Sequence, residues 1–174
     1  MNFPTKYSEI LTRIEKIDPI KYGNTRNYLN GAITYLSPYI SRGVISTKMV
    51  LDSVLAKGYP IEEIESLVKE LSWRDYFQRL GQVRNLDTEI KFPQSEVERL
   101  EIPLAVVNAE SGIHAIDQAI EDFYANGYMH NHMRMYTAAL VTNIGKSHWL
   151  LPSKWMYFHL LDGDWASNRC SWQW

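Results

Sequence analysis

Residues 61–80 read IEEIESLVKELSWRDYFQRL, with Pro60 before them and Gly81 behind. Ile64, Leu67, Val68 and Leu71 recur at the spacing of a helix with one buried face. Proline suits an opening turn, where its missing N–H has no partner in any case, and glycine suits a stop. The spacing therefore predicts a helix over 61–80 ended by Gly81. A second stripe runs beside the first: Glu70, Trp73, Arg74 and Phe77 share a face. A carboxylate, an indole and a guanidinium together suit a flat aromatic ligand with polar edges. They equally make a surface ion pair over a half-buried aromatic, and spacing alone leaves both readings open.

Working outward, the period stays helical. Residues 5–17 carry Ile10, Leu11, Ile14 and Ile17 at helical spacing, with Pro19 as a stop. Ser46 is the expected N-cap of a helix holding Met49, Val50, Val54 and Leu55, ended by Gly58. Residues 82–110 keep no period, are broken by Pro93 and Pro103, and read as loop and short helix. Residues 113–126 repeat at Ile113, Ile116, Ile120 and Phe123, with Gly127 as cap. A helix over about 129–144 is expected to bury Met133, Leu140, Val141 and Ile144 before Gly145. Another starts at Pro152 or Ser153 and runs to about Leu161. No alternating pattern of useful length suggests a strand, and there is no repeat or low-complexity linker. The expected fold is all-α, a single helical domain over 1–174.

The chain has 174 residues, 45% hydrophobic and 22% charged, the balance of one globular domain rather than a disordered tail. A net charge of −2 excludes a uniformly basic nucleic-acid glove and leaves room for a local basic groove. One cysteine, Cys170, excludes an internal disulfide framework and fits a reducing, cytoplasmic setting. No apolar run is long enough to span a membrane, and the N-terminus is neither a signal peptide nor an Arg-rich transit peptide. Five of the six tryptophans, Trp149, Trp155, Trp165, Trp172 and Trp174, crowd into the C-terminal stretch, leaving only Trp73 outside. Such crowding suits a stacking platform, a redox-active cluster or a bulky core.

Three short motifs imitate known sites. Gly145-Lys146-Ser147 lacks the upstream glycine and strand of a phosphate loop. Asp162-Gly163-Asp164 lacks the later glycine and glutamate of a calcium loop. His130 and His132 stand two apart on an expected helix, so they point apart, and no metal is expected. Two further groupings carry chemistry. Asn131, Arg134, Met135 and Ala138 share a helix face, combining an amide with a rigid guanidinium fork. Asp162 and Asp164 flank a glycine in a tight turn with acceptors pointing outward, and Asn168 follows Asp164 by one helical turn.

These pieces, in this order, resemble the helical FAD-binding domain of the DNA photolyase/cryptochrome family. The matching stretches begin with Tyr22-x-x-x-Arg26 and Leu36-Ser37-Pro38-Tyr39-Ile40, with Gly43, Ile45 and Ser46 after them. Glu70-Leu71-Ser72-Trp73-Arg74-Asp75-Tyr76-Phe77 comes next, then Gly112 with Ile116-Asp117. Gly127-Tyr128-Met129-His130-Asn131-x-x-Arg134-Met135 follows, and the chain ends on Leu161-Asp162-Gly163-Asp164-x-Ala166-Ser167-Asn168 with Trp172-Gln173-Trp174. The last two motifs, at this separation, are highly specific.

The resemblance implies a bound FAD. Tyr22, Thr34, Leu36 and Ser37 match residues that hold its phosphates and ribityl chain. Asn131, Arg134, Asp162, Asp164 and Asn168 match those around the isoalloxazine and folded adenine, with Arg134 and Asp162 in a salt bridge and Asn168 facing N5. Trp172 and Trp149 match two members of a tryptophan chain that photoreduces the flavin. Glu70, Trp73 and Trp174 match contacts to a flipped-out pyrimidine dimer, and Arg74 and His132 are the further expected DNA contacts. The implied activity is that of a deoxyribodipyrimidine photolyase-like lyase: light-driven electron transfer from reduced FAD splits the dimer in UV-damaged DNA, with Glu70 as a carboxylic acid hydrogen-bonding the dimer radical anion. The alternative is a cryptochrome-like sensor of light or redox state without repair.

Departures from the family pattern are specific. Tyr35 and Ile33 replace an expected Arg and Thr of the phosphate loop. His132 stands for an Arg, Tyr128 for a Trp, and Arg169-Cys170-Ser171 for a polar, Gly-rich triplet. The outermost tryptophan of the chain maps near Glu96, so a Tyr or Trp155 is the expected substitute. Typical members begin with an antenna-bearing α/β domain and continue past Trp174. The chain is therefore expected to be a fragment, with any antenna on a separate chain or domain.

Overall fold

The computed structural model describes residues 3–173; the expected lesion contact Trp174 lies outside the described residues. Among the described residues ten α-helices follow one another: α1 (Tyr7–Glu15), α2 (Pro19–Thr25), α3 (Ser37–Ser41), α4 (Thr47–Leu55), α5 (Ile61–Val83), α6 (Leu104–Val107), α7 (His114–Asn126), α8 (Asn131–Ala139), α9 (Leu150–His159) and α10 (Trp165–Ser171). A π-helical turn, Leu140–Ile144, extends α8. Among the described residues there is no strand, only an isolated parallel bridge between Arg99 and Ser147. The all-α expectation holds. Nor is any described helix long and apolar enough to cross a membrane.

The chain divides into two compact units, Met1–Tyr76 and Phe77–Trp174. In the first, the apolar stripe of α1 (Ile10, Ile14) packs with Leu36, Tyr39, Val50, Val54, Ile64 and Leu67. Each large aliphatic buried this way contributes roughly 1.5–3 kcal/mol before chain entropy is subtracted. Capping sets the helix boundaries. Asp18 accepts from the Lys21 N–H (2.8 Å) at the head of α2, and Ser46 accepts from the Met49 N–H (3.1 Å) at the head of α4, as its sequence position predicts. Pro19 therefore starts a helix as well as stopping one. Lys57 donates to the Glu15 and Ile17 carbonyls (2.7 and 2.6 Å), satisfying carbonyls at and beyond the end of α1.

In the second unit, Ile116, Ile120 and Phe123 of α7 meet Met129, Met133, Val141, Trp149, Met156, Leu160 and Trp172. A smaller cluster joins Phe77, Leu86, Ala166 and Cys170. Burial, and secondarily Asp164, push the Cys170 thiol up to about 11, so the one described cysteine is a packing residue rather than a nucleophile.

Several expected boundaries move, each for a local reason. Gly81 does not end α5. It stays in the helix, and a Cβ there would lie 3.2 Å from Leu86 and 3.3 Å from Ala166, so its small size serves packing. Phe77 ends the second stripe of α5 inside the small core cluster rather than on an open face. The helix placed at 129–144 begins at Asn131, where His130 caps it by accepting from the His132 N–H (3.1 Å). Its last turn widens until the Gly145 N–H reaches the Leu140 carbonyl (2.8 Å). That extra residue per turn rotates the stripe, leaving Ile144 exposed instead of buried. α9 starts at Leu150, before the expected Pro152 or Ser153, because a proline in the first turn removes only an N–H that has no helical partner.

Gly127 closes α7 as its sequence position predicts, at φ +71°, and the Leu161 N–H donates to its carbonyl (2.7 Å). A Cβ there would lie 3.1 Å from that of Leu161 and 3.3 Å from the His159 carbonyl oxygen. Gly127→Ala is expected to cost about 1–3 kcal/mol, from left-handed strain plus crowding. Urea unfolding measures it; a loss below about 0.5 kcal/mol, the scatter of neutral surface changes, would mean this junction relaxes freely.

Candidate functional site

Within the second unit the polar residues converge around the start of α10. Arg134 donates through Nη2 to both carboxylate oxygens of Asp162 (2.9 Å each) and through Nε to the Met129 carbonyl (2.7 Å). Its guanidinium carbon also lies 5.5 Å from the Tyr128 ring centroid, a cation–π contact. Asp162 is only 6% exposed, so its oxygens face inward, contrary to the outward turn expected from sequence. The reason is electrostatic: a buried carboxylate requires a partner, and Arg134 supplies one. Asp164 caps α10 by accepting from the Ser167 N–H (2.7 Å) and also accepts from Gln78 (2.6 Å).

Asn168, one turn into α10, is buried, and its Nδ2 donates to the Ser153 carbonyl (2.7 Å). Asn131 is exposed at the head of α8 and its amide approaches the Met135 sulfur (3.8 Å). His132 stacks edge-on against Tyr136, with centroids 5.4 Å apart. Trp149 and Trp172 are both buried in the main core cluster of this unit, and Trp155 packs against it. Trp155 donates its indole N–H to the Tyr124 hydroxyl (3.0 Å), which donates to the Val107 carbonyl (2.7 Å). Glu96, at the expected position of the outermost tryptophan, is exposed and paired with Lys146. Among the described residues no group of three or more His, Cys, Asp or Glu is placed to hold a metal.

Within the first unit, Arg26 pairs with Glu70 (2.6 Å), joining α5 to the end of α2. Burial, and secondarily the Glu70 charge, push the Tyr22 hydroxyl up to about 12 against the opposing pull of Arg26, so Tyr22 stays a neutral phenol. Thr34 and Ser37 lie half-buried on either side of the buried Leu36, which opens α3. The preceding turn is shaped by Gly31, where a Cβ would fall 1.9 Å from the Thr25 carbonyl oxygen, and by Thr25, which accepts from the Ala32 N–H (2.9 Å). Tyr35, in the place of an expected Arg, sits at φ +52° with Arg13 donating to its carbonyl (3.3 Å). Trp73 remains 45% exposed, with Tyr76 edge-on at 5.8 Å.

Sequence reasoning gave no role to Arg26, Asp87, Ser153 or Arg169. Arg26 was visible as a motif residue, but its link to Glu70 spans two helices. Arg169 shows in sequence only as a departure. Its partners are Asp87 (2.8 Å) and Ser153 (2.8 Å), and periodicity cannot pair it with either.

A family model described as the FAD binding domain of DNA photolyase matches residues 67–174, more than half the chain. The chain belongs to that family. FAD is its cofactor. The chain is 32% identical over 166 residues to the deoxyribodipyrimidine photo-lyase of Thermus thermophilus, covering 88% of this chain and 38% of that one. It is 27% identical over 175 residues to the mitochondrial deoxyribodipyrimidine photo-lyase of Saccharomyces cerevisiae, covering 87% and 30%. Its fold matches a class III photolyase from Agrobacterium tumefaciens with a TM-score of 0.82 at 23% identity, over 97% of this chain and 37% of that one. A Synechocystis cryptochrome matches with a TM-score of 0.81 at 22% identity, over 99% and 39%. The chain thus spans roughly a third of the length of these relatives.

The side chains of this photolyase-family chain fit an FAD. Asn168 spends its Nδ2 on the Ser153 carbonyl, which leaves its amide oxygen directed away as an acceptor. An amide oxygen in that position suits an N–H of a ligand ring. The Arg134–Asp162 pair offers cationic and anionic edges to a ring that carries both donors and acceptors. The Thr34 and Ser37 hydroxyls and the neutral Tyr22 phenol are donors suited to phosphate and ribityl oxygens.

Proposed function

We propose that this chain acts as a photolyase-like lyase that binds UV-damaged DNA and reverses cyclobutane pyrimidine dimers by light-driven electron transfer, as one FAD-binding domain in the cytoplasm. The observation that carries the reading is the exposed Trp73 on the same helix as Glu70, whose carboxylate is fixed by Arg26. An indole 45% open to solvent beside a fixed carboxylate leaves an aromatic face within reach of a ligand. It suits stacking of an unstacked pyrimidine pair, while Glu70 meets the polar edge. As an ion-paired carboxylate, Glu70 offers acceptors, so it receives a pyrimidine N–H; the donor role implied by the resemblance requires a proton. Arg74, on the same face, and His132, on α8, are assigned to the DNA strand.

The cofactor contacts proposed in the first unit are Tyr22, Thr34, Leu36 and Ser37, and in the second Asn131, Arg134, Asp162, Asp164 and Asn168. When bound, reduced FAD supplies the excited-state electron that opens the dimer ring. Trp172 and Trp149 are assigned to restoring that reduced state, and their burial suits them to it because water is kept from an oxidised indole.

The test is Glu70→Ala, measured for FAD uptake and for dimer repair under blue light. FAD uptake is expected unchanged and repair yield to fall by roughly tenfold, the worth of one hydrogen bond to a reacting group. Full repair by the variant gives Glu70 a structural role only. A wild-type chain that photoreduces its FAD and repairs nothing overturns the lyase reading in favour of a cryptochrome-like sensor.

A further inference from the structure

Arg169 is a buried cation: only 3% of the residue is exposed. A guanidinium so placed must find partners or destabilise the fold. It finds two. Nε donates to Asp87 Oδ1 (2.8 Å), and Nη1 donates to the Ser153 hydroxyl (2.8 Å). That hydroxyl in turn donates to the Leu150 carbonyl (2.7 Å). The main-chain carbonyl of Ser153 accepts the Asn168 Nδ2 (2.7 Å). Two successive residues of α10, Asn168 and Arg169, therefore grip one residue of α9 from its main chain and its side chain.

This arrangement fixes which way the Asn168 amide faces. A carbonyl only accepts, so Nδ2 must point to Ser153 and Oδ1 must point away from it. The orientation lasts only while Ser153 stays where it is, and the guanidinium fork holds Ser153. Asp87 keeps the fork in place from the other side. Its carboxyl is held below the usual range, chiefly by Arg169 and also by Lys154, which lies at 3.3 Å. The anchor is thus a satisfied chain of charges and hydrogen bonds rather than a loose surface pair.

We propose that Arg169 is a positioning residue for Asn168. By anchoring Ser153 it holds the Asn168 amide with Oδ1 presented as an acceptor toward the flavin. The inference rests on the proposed contact between Asn168 and the isoalloxazine. An acceptor aimed at that ring stabilises whichever redox form carries an N–H there, which is the reduced form. Loosening the amide therefore lowers the midpoint potential of the bound cofactor.

The test is the midpoint potential of FAD in the holoprotein, for Asn168→Ala, Arg169→Lys, Ser153→Ala and the Asn168→Ala/Arg169→Lys double variant. Lysine keeps the positive charge and loses the fork; alanine at Ser153 keeps Arg169 and loses the link. Both single variants are expected to lower the potential by the equivalent of about a tenfold change in the reduction equilibrium, ~30 mV for a two-electron couple. Asn168→Ala should lower it too, and adding Arg169→Lys to it should change nothing further. If Asn168→Ala shifts the potential and neither Arg169→Lys nor Ser153→Ala does, Arg169 is not a positioning residue. An equal Arg169→Lys shift with and without Asn168 likewise overturns the proposal, because the effect then bypasses the amide. No shift in Asn168→Ala itself overturns the assignment of Asn168 to the flavin, and the inference with it. Should Arg169→Lys fail to fold, Ser153→Ala carries the test alone.

Discussion

Asp162→Ala is expected to destabilise the second unit by about 2–4 kcal/mol. Breaking one partner out of a buried ion pair costs 3–5 kcal/mol in general, because a desolvated charge is left behind. Here the Arg134 side chain keeps 23% of its surface in water against 5% for Asp162, so part of that penalty is relieved and the lower estimate follows. Two hydrogen bonds of 2.9 Å disappear together, while the guanidinium keeps the Met129 carbonyl and the Tyr128 ring. Asp162→Asn retains a neutral acceptor and should lose less. The decisive measurement is a double-mutant cycle by urea unfolding with Arg134→Met. Removing both partners should recover at least about 1 kcal/mol relative to the sum of the single losses. Additive losses would mean that the two residues do not act as a pair. FAD uptake on the same variants separates fold from site: a chain that folds and no longer takes up FAD has lost a contact.

Local grammar made much of this fold readable. Ser46 caps α4 and Gly127 closes α7 because each end is decided by a few backbone atoms and one residue. The all-α class followed from the period of Ile64, Leu67, Val68 and Leu71, whose core face is real. Where reading failed, longer-range packing had the last word. Gly81 has the residue type of a stop, but its position against Leu86 and Ala166 keeps it helical. Ile144 has the phase of a core residue, but the π-helical turn before it is invisible to a fixed period. α2, α3 and α10 are too short to show a period at all, and the caps of α2 and α10 emerge only once Asp18 and Asp164 are seen to accept from main-chain N–H groups.

The site was legible in a different way. Motif resemblance pointed to Arg134 and Asp162 as a salt bridge, and the two do form one. Resemblance carries roles across only where residues match, so the residues peculiar to this chain stayed silent. Arg169 breaks the family pattern and sits at the centre of a network joining Asp87, Ser153 and Asn168. Arg26 matched the pattern and was given no role, because its use lies in a partner forty-four positions on, Glu70. A charge that is buried, or held at 2.6 Å across two helices, is a statement of tertiary structure that no window of sequence contains.

Trp172→Phe is expected to leave FAD bound and to slow its photoreduction by at least about tenfold, equivalent to 1.36 kcal/mol or more on the barrier. Trp172 closes α10, and its N–H donates to the Asn168 carbonyl (3.1 Å), which sets it one turn beyond the residue assigned to the flavin. Residues one turn apart face the same side of a helix, so the indole follows the amide. The ring is 5% exposed within the cluster that also holds Trp149, so a nearby donor for its refilling is sheltered from water as well. Phenylalanine keeps the apolar contact and gives up the electron-rich indole, which is the property that matters for donation. The smaller ring leaves a cavity costing about 1–2 kcal/mol at most, far too little to unseat a cofactor held by nine other contacts in the proposed set. The measurement is the blue-light bleaching rate of bound FAD in the presence of a thiol. Trp149→Phe should give a slowing of the same sense, and Tyr124→Phe, which removes the hydroxyl accepting from Trp155, a smaller one. A Trp172→Phe protein that holds FAD and bleaches at the wild-type rate would take Trp172 out of the electron path. Attention would then pass to the hydrogen-bonded Trp155 and Tyr124, an oxidisable pair whose rings both meet Phe123 of the same core.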